Sequence, residues 1–536
     1  MKLLRLALRA FPHRLVTVIL FSLLSGVGNA VLVAWISRNF AQGILLSTHR
    51  ILLLLAFACV VLAFDTCAKQ LIARLAGSTS YALRSSISRQ ILAMPLETLE
   101  RIGSPRLMAM LTEDILNLSI TFHSLPNICV SLANLSFCTL YLLWFSPRMA
   151  VLLGLVAILP FFIHSILQKR ARAAMKAMLL GRNEIFSLYR VLVEGIQELK
   201  LHAARRNAFL HDLLEPTAKR VQKLGIENRI WHQATQIWAQ AVSIGMILVV
   251  FLWCTWQKSS TTEIATYAFV ILLLKSVMGN LLSMLPLWAD ARVIVEQIEA
   301  VGFVFRVEPP PLPSVVYSKP ESVHLKVERL VYRYSHTADE AGFQLGPITL
   351  DFHSGEIVFL TGGNGSGKTT LIKLLSGLYT QEEGSVFLNG EAIDAENREA
   401  YRQNFAAIWV DFFLFDRLLG ISPQELDSHA EHYLKLLQLE DKVVVKDGIL
   451  STTAISHGQR KRLALLTAYL EDRPIYLFDE WASGQDPEFR EVFYRQLLPD
   501  LKQKGKLVIV ISHDEQYFNM ADRRIYLDFG HVVSES

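Results

Sequence analysis

The chain has 536 residues, of which 52% are hydrophobic and 19% charged, with a formal net charge of +4. Ordinary soluble chains carry about 25% charged residues, so this balance leans toward lipid; disorder, collagen-like repeats and, with only five cysteines, a disulfide scaffold are excluded. A charge of +4 over this length is no nucleic-acid signature, and no nucleic-acid partner is expected.

The apolar residues gather in the first half. A helix needs roughly 20 apolar residues to cross hydrocarbon, and six stretches meet that demand, at about 15–37, 51–72, 125–145, 149–167, 237–256 and 264–287. The opening MKLLRLALRAFPHR and the run after it look like a signal peptide, but a signal's apolar region ends within about 15 residues and this one continues through VLVAWIS. It reads as the first membrane span. Cys59, Cys67, Cys129, Cys138 and Cys254 lie in or beside these stretches without CxxC spacing and read as small packing residues. Asp65 and Lys69 stand four apart in the second span, placed to neutralise one another. Lys275 in the sixth needs either a carboxylate on another span or an anionic ligand. Trp238, Trp253, Trp256 and Trp288, near span ends, read as interface anchors.

The loops orient the spans. Twenty-two Lys and Arg lie in the N-terminal 14 residues and the loops 73–123 and 168–236, against four on the opposite side. Positive residues favour the cytoplasmic face, which places the N-terminus, both long loops and the second half of the chain there. The two long loops carry apolar residues at helical spacing and read as helices that continue beyond the membrane and return. Segments 104–115 and 202–214 are the candidate points at which they meet the soluble half. The expected domains are residues 1–305 in the membrane, a Pro-rich linker at 306–323 (VEPPPLPS within it), and a soluble domain at 324–536.

From about 324, short β-branched runs alternate with helical segments, the pattern of an α/β domain. EIVFLTG runs into GGNGSGKTT at 362–370 and then into LIKLLSGL, so Gly-x-x-x-x-Gly-Lys-Thr stands between a predicted strand and a predicted helix. Backbone N–H groups of Gly362, Gly363, Asn364, Gly365, Ser366 and Gly367 are expected to face the phosphates of ATP. Lys368 supplies a positive charge, Thr369 a hydroxyl for Mg²⁺, and Thr370 is the last of the expected nucleotide-binding residues of the loop. PIYLFDE at 474–480 ends in two carboxylates: Asp479 is the second candidate Mg²⁺ ligand and Glu480 the group that polarises the attacking water. His513, at the end of KLVIVIS, is a candidate γ-phosphate contact.

Between these motifs, AISHGQRKRLALLTAYL at 454–470 resembles the signature of the ATP-binding-cassette (ABC) family, with Ile455 and His457 replacing the usual Leu and first Gly of Leu-Ser-Gly-Gly-Gln. The resemblance implies that Ser456 and Gly458 contact the γ-phosphate of a nucleotide held by another subunit, with His457 and Gln459 part of the same nucleotide-binding signature. It further implies that Tyr334 stacks on adenine and that Asp486 is the aspartate of the turn after the catalytic glutamate. The glutamine the family carries between phosphate loop and signature is absent. Val410 occupies its place, followed by Asp411.

Six spans followed by one cassette resemble the half-transporter layout of ABC exporters. The fold so implied is a multi-domain membrane protein, an all-α six-helix transmembrane domain of the type I exporter kind plus an α/β P-loop cassette. Homodimerisation, a lipid environment and the bacterial inner membrane are implied with it. GGNGSGKTT, VDFFLFDRLLG, ISHGQRKR and FDEWASGQDPEFR together resemble bacterial exporters of cyclic or modified peptides and peptide siderophores, the pyoverdine-, syringomycin- and microcin-exporting types. A lipid flippase or multidrug exporter with the same ATPase is the alternative, and a non-transporting sensor a third.

Overall fold

The computed structural model describes residues 12–41, 48–258, 261–304, 317–334, 343–421 and 426–536, with some side chains of the first and last membrane helices left aside. The basic residues before Pro12 and most of the expected linker, 306–316, lie outside them. The chain divides into two compact units, Met1–Met94 with Thr98–Pro310, and Pro95–Glu97 with Pro311–Ser536.

The first unit is helical. Its long elements are Pro12–Ala41, Thr48–Ala93, Leu125–Phe145, Pro147–Glu194, Glu215–Gln257 and Thr261–Ala300. Among the described residues, five helical stretches are long and apolar enough to cross a membrane: Leu15–Ile36, Thr48–Ala93, Ser104–Phe145, Pro147–Glu194 and Ala203–Gln257. The expected sixth span falls on the 40-residue helix Thr261–Ala300. As the spacing predicts, the span helices continue into the long loops, which are otherwise built of short helices: Thr48–Ala93 has 46 residues and Pro147–Glu194 has 48. At 1.5 Å per residue each is about 70 Å long, more than twice the roughly 30 Å of hydrocarbon.

Small residues bring these helices close. A Cβ added at Gly26 would lie 2.5 Å from that of Ala133, and one at Gly28 would lie 2.5 Å from Val61, so neither position tolerates a side chain. The Lys69 ammonium pairs with Asp65 at 2.7 Å, as their spacing requires. Lys275 is exposed on its helix. Cys138 and Cys254 pack in one apolar cluster with Leu142, Met149 and Tyr267, whereas Cys59 and Cys67 are exposed rather than packed. The tryptophan expectation is also altered. Trp238 and Trp288 are half-buried, and their indole N–H groups donate within the bundle, to the Pro160 carbonyl and the Ser124 hydroxyl, each at 3.1 Å. Segments 104–115 and 202–214 each contain a π-helical turn, Met110–Asp114 and Phe209–Leu214.

The second unit carries twelve strands among its described residues. A six-stranded sheet runs in the order β12 (His531–Glu535), β11 (Arg523–Asp528), β3 (Ile357–Gly362), β10 (Leu507–Ile511), β9 (Ile475–Asp479) and β6 (Phe405–Ile408). All its pairings are parallel except the outermost, β12 with β11. Strands buried on both faces read as unbroken apolar runs, and side chains alternate between those faces. Ile357, Phe359, Tyr476, Phe478, Val508 and Val510 enter one core; Val358, Leu360, Ile475, Leu477, Leu507, Ile509 and Ile511 enter the other. The second core is closed by an antiparallel sheet of β2 (Gln344–His353), β1 (His324–Arg333), β4 (Glu383–Leu388) and β5 (Glu391–Ala392). That sheet is an addition to the expected parallel α/β pattern.

Candidate nucleotide site

The phosphate loop sits where topology puts it, at the carboxyl end of the central strand β3, leading into the helix Lys368–Leu375. Its turn depends on backbone that only glycine adopts readily. Gly367 has φ of 102°, and an added Cβ there would lie 2.6 Å from Leu345 and 3.0 Å from Phe343. Lys368 is buried and donates to the carbonyls of Gly362 and Gly363, each at 2.9 Å, which brings its ammonium back over the loop. Burial lowers its pKa, while Glu480 and Asp479 raise it. The Ser366 hydroxyl is buried without a hydrogen-bond partner among the described residues. A cradle of backbone N–H groups, a curled-back ammonium and an orphaned hydroxyl fit a polyphosphate.

These groups face a cavity of about 520 Å³ lined by Tyr334, Phe343, Asn364–Thr370 and Glu480. Tyr334 is among the lining residues, its hydroxyl 3.1 Å from that of Thr370. Phe343, which motif reading misses, shares the wall, with ring centroids 6.3 Å apart.

Asp479 ends β9 next to β10, and the Thr369 hydroxyl lies 3.3 and 3.4 Å from its two carboxylate oxygens. Burial pushes the Asp479 carboxyl up to about 6, against the lowering effect of the hydrogen bond from Thr369. Two oxygen ligands at the inner end of the loop are the donor set that Mg²⁺ takes. Glu480 follows with φ of 49°, its backbone N–H donating to the Ile511 carbonyl at 3.1 Å. His513 Nε2 lies 3.4 Å from the Glu480 carboxylate. So Lys368, Thr369, Asp479, Glu480 and His513, spread over 146 positions of sequence, meet at the ends of three neighbouring parallel strands.

The signature residues stand elsewhere. Ser456, His457, Gly458, Gln459 and Asp486 do not line that cavity. Ser456 caps the helix His457–Glu471 in a reciprocal box: its hydroxyl accepts from the Gln459 N–H at 3.3 Å, and the Gln459 side chain accepts from the Ser456 N–H at 3.2 Å. His457 lies 6.0 Å, ring to ring, from Phe412. Asp486 caps the helix Pro487–Val492 and pairs with Arg462. At the glutamine position, the Val410 main chain helps hold the Asp479 carboxyl down against burial, while Asp411 is exposed and outside the cavity lining.

One further cluster has ligand character: His324, Asp351 and His353, on paired β1 and β2, bring one donor atom each within 4.8 Å of one another. All three are partly solvated, and Lys326 faces Asp351 across the strand pair. Among the described residues the cluster reads as a hydrogen-bonded surface group.

Comparison with known proteins bears directly on this arrangement. The ABC transporter transmembrane-region family matches residues 15–281, and the ABC transporter family matches residues 345–483. The ATP-binding protein SyrD of Pseudomonas syringae pv. syringae is 37% identical over 476 residues, 84% of this chain and 82% of that protein. The chain belongs to the ABC transporter family. It is an ABC exporter, a membrane domain fused to an ATP-binding cassette, and its cassette is an ATPase coupled to transport. Other relatives of this ABC exporter include an ATP-dependent lipid A-core flippase of Aliivibrio fischeri, 22% identical over 84% of this chain and 79% of that protein. The subtilin transport ATP-binding protein SpaT of Bacillus subtilis is 32% identical over 35% of this chain and 33% of that protein.

Proposed function

We propose that this ABC exporter moves a cyclic or modified peptide, or a peptide siderophore, outward across the bacterial inner membrane as a homodimer, with its N-terminus and cassette in the cytoplasm. The cargo reading rests on FDEWASGQDPEFR at 478–490, the run that resembles the peptide-exporting types. A relative named for subtilin transport supports it. The homodimer reading rests on the division of the site: one chain brings phosphate loop, carboxylates and His513 together, and leaves Ser456–Gln459 outside its own cavity. A second copy completes it.

The catalytic assignment follows from charge and position. Lys368 and the loop N–H groups hold the β- and γ-phosphates. Thr369 and Asp479 would hold Mg²⁺, which neutralises charge on the same oxygens. Glu480, at the cavity wall, orients and polarises the attacking water, and His513, 3.4 Å from its carboxylate, holds it and is the candidate contact to the γ-phosphate. Nucleotide buried between two cassettes binds the closed pair more tightly than the open one, so binding drives closure and hydrolysis releases it.

The test is Mg²⁺-dependent ATP turnover of the full chain in lipid nanodiscs, against cyclic peptides, peptide siderophores, lipids and hydrophobic drugs, with Glu480→Gln as control. Turnover lost in Glu480→Gln and stimulated by peptides is the expected result. Stimulation by lipid alone would replace the cargo reading with the flippase one, which the lipid A-core relatives favour.

A further inference from the structure

The turn that carries Glu480 is held from the signature helix of its own chain. Glu480 sits at φ of 49°, left-handed backbone that a residue with a side chain keeps only when its surroundings impose it. Lys461, one turn into the helix His457–Glu471, supplies that constraint. Its ammonium donates to the Glu480 carbonyl at 3.2 Å and to the Ser483 carbonyl at 2.7 Å. The side chain is nearly shut from solvent, at 4% residue exposure. The return contact comes from the next residue on the turn: the Trp481 indole N–H donates to the Lys461 carbonyl at 3.0 Å. Trp481 is 1% exposed, its ring 4.4 Å from that of Phe493. Gln485 adds a third tie, donating to the Gly458 carbonyl at 3.1 Å.

We propose that Lys461 and Trp481 are positioning residues: a two-way clasp that fixes the Glu480 backbone to the signature helix and thereby couples the two nucleotide sites of the dimer. The inference rests on the composite-site reading above. In that reading the signature helix engages the nucleotide held by the partner, while Glu480 acts on the nucleotide of its own chain. A clasp between them within one chain means that engagement at one site sets the geometry of the water-polarising carboxylate at the other. The chemistry suits the task. A buried ammonium with two carbonyl acceptors cannot move away without leaving its charge unpaired, and the indole adds a donor on a rigid, packed ring. The Glu480 side chain touches the cavity; Lys461 and Trp481 act only through it.

The experiment compares Lys461→Met, Lys461→Gln and Trp481→Phe in the full chain in nanodiscs, measuring kcat, nucleotide Kd and the Hill coefficient in ATP. Lys461→Met keeps length and loses both donors. It is expected to lower kcat about tenfold to a hundredfold, the range for a displaced catalytic group, with Kd within about twofold and the Hill coefficient falling toward unity. Lys461→Gln, whose amide carries two N–H donors, recovers most of the loss. Trp481→Phe gives a smaller fall in the same direction, and combining it with Lys461→Met adds little. Unchanged kcat and Hill coefficient in Lys461→Met would overturn the proposal. So would an equal loss in Lys461→Met and Lys461→Gln accompanied by a matching rise in Kd, the mark of general damage to the fold. Undiminished turnover in Glu480→Gln would instead overturn the assignment of Glu480, and the clasp with it.

Discussion

The main chain of Val410 acts on the carboxylate of Asp479, pulling its pKa down against the upward push of burial. The family's loop carries a glutamine side chain at this place; here a main-chain group acts on the carboxylate proposed to hold Mg²⁺ instead. Any residue but proline supplies a main-chain N–H. Val410→Ala is therefore expected to leave the Mg²⁺ requirement of ATP turnover within about twofold of the parent. Val410→Pro is expected to raise it about tenfold, the usual scale for one hydrogen bond to a charged group. Mg²⁺ titrations of steady-state ATPase check both.

Asp479 also sets a pH window. Burial raises its carboxyl from 3.8 to about 6, so the metal-free cassette binds a proton there that the unfolded chain has released. This contribution to stability is fully present below about pH 4 and is lost as pH rises through about 6, on the order of 3 kcal/mol in all. Metal binding has the opposite slope, because the carboxylate must lose its proton first. With nucleotide present, apparent Mg²⁺ affinity is expected to fall about tenfold per unit below pH 6. Isothermal titration between pH 5 and 7.5 tests it, and a flat profile would contradict the assignment.

Each motif at a strand end is legible from sequence because its chemistry is local. The phosphate loop, Asp479 with Glu480, and His513 all follow apolar runs, and the parallel pairing of β3, β10 and β9 does the gathering. What sequence hides has physical reasons. The Val410 effect comes from the main chain and has no residue type to recognise. Phe343 enters the cavity from just before β2, outside any motif. The antiparallel sheet is built of half-buried strands with bulges in β1, which blur alternation. Gln459 is the reverse case: Ser456-x-x-Gln459 is a capping box readable without structure, although family resemblance directs attention to its phosphate role.

Gly367 links loop to core and predicts its own cost. A Cβ would meet Leu345 at 2.6 Å with φ at 102°. Gly367→Ala is expected to destabilise the cassette by about 1–3 kcal/mol and to weaken nucleotide binding, since Phe343 and Tyr334 share that wall. Thermal unfolding and fluorescent-nucleotide titration separate the two effects.

Asp472 provides the last prediction, away from the site. It terminates the signature helix in left-handed backbone, φ of 46°, and its carboxylate pairs with Lys319 and, at 2.5 Å, with Lys506. Lys506 is nearly buried, its side chain 7% exposed, and burial lowers its pKa, while Asp472 stays 57% exposed. The two cations hold the Asp472 carboxyl below its ordinary value against the upward pull of burial. Its contribution is therefore present above about pH 4 and is lost as pH falls below that. Asp472→Asn isolates the charge, because asparagine also accepts left-handed backbone. Removing the carboxylate strands the Lys506 ammonium in a poorly solvated position, but solvent at Asp472 screens part of the interaction. The expected cost is about 1–2 kcal/mol, less than for a fully buried pair. It should appear as a lower cassette unfolding temperature at pH 7 and shrink progressively as pH falls below about 4. A loss that does not shrink on acidification would mean that the helix terminus, not the ion pair, carries the effect.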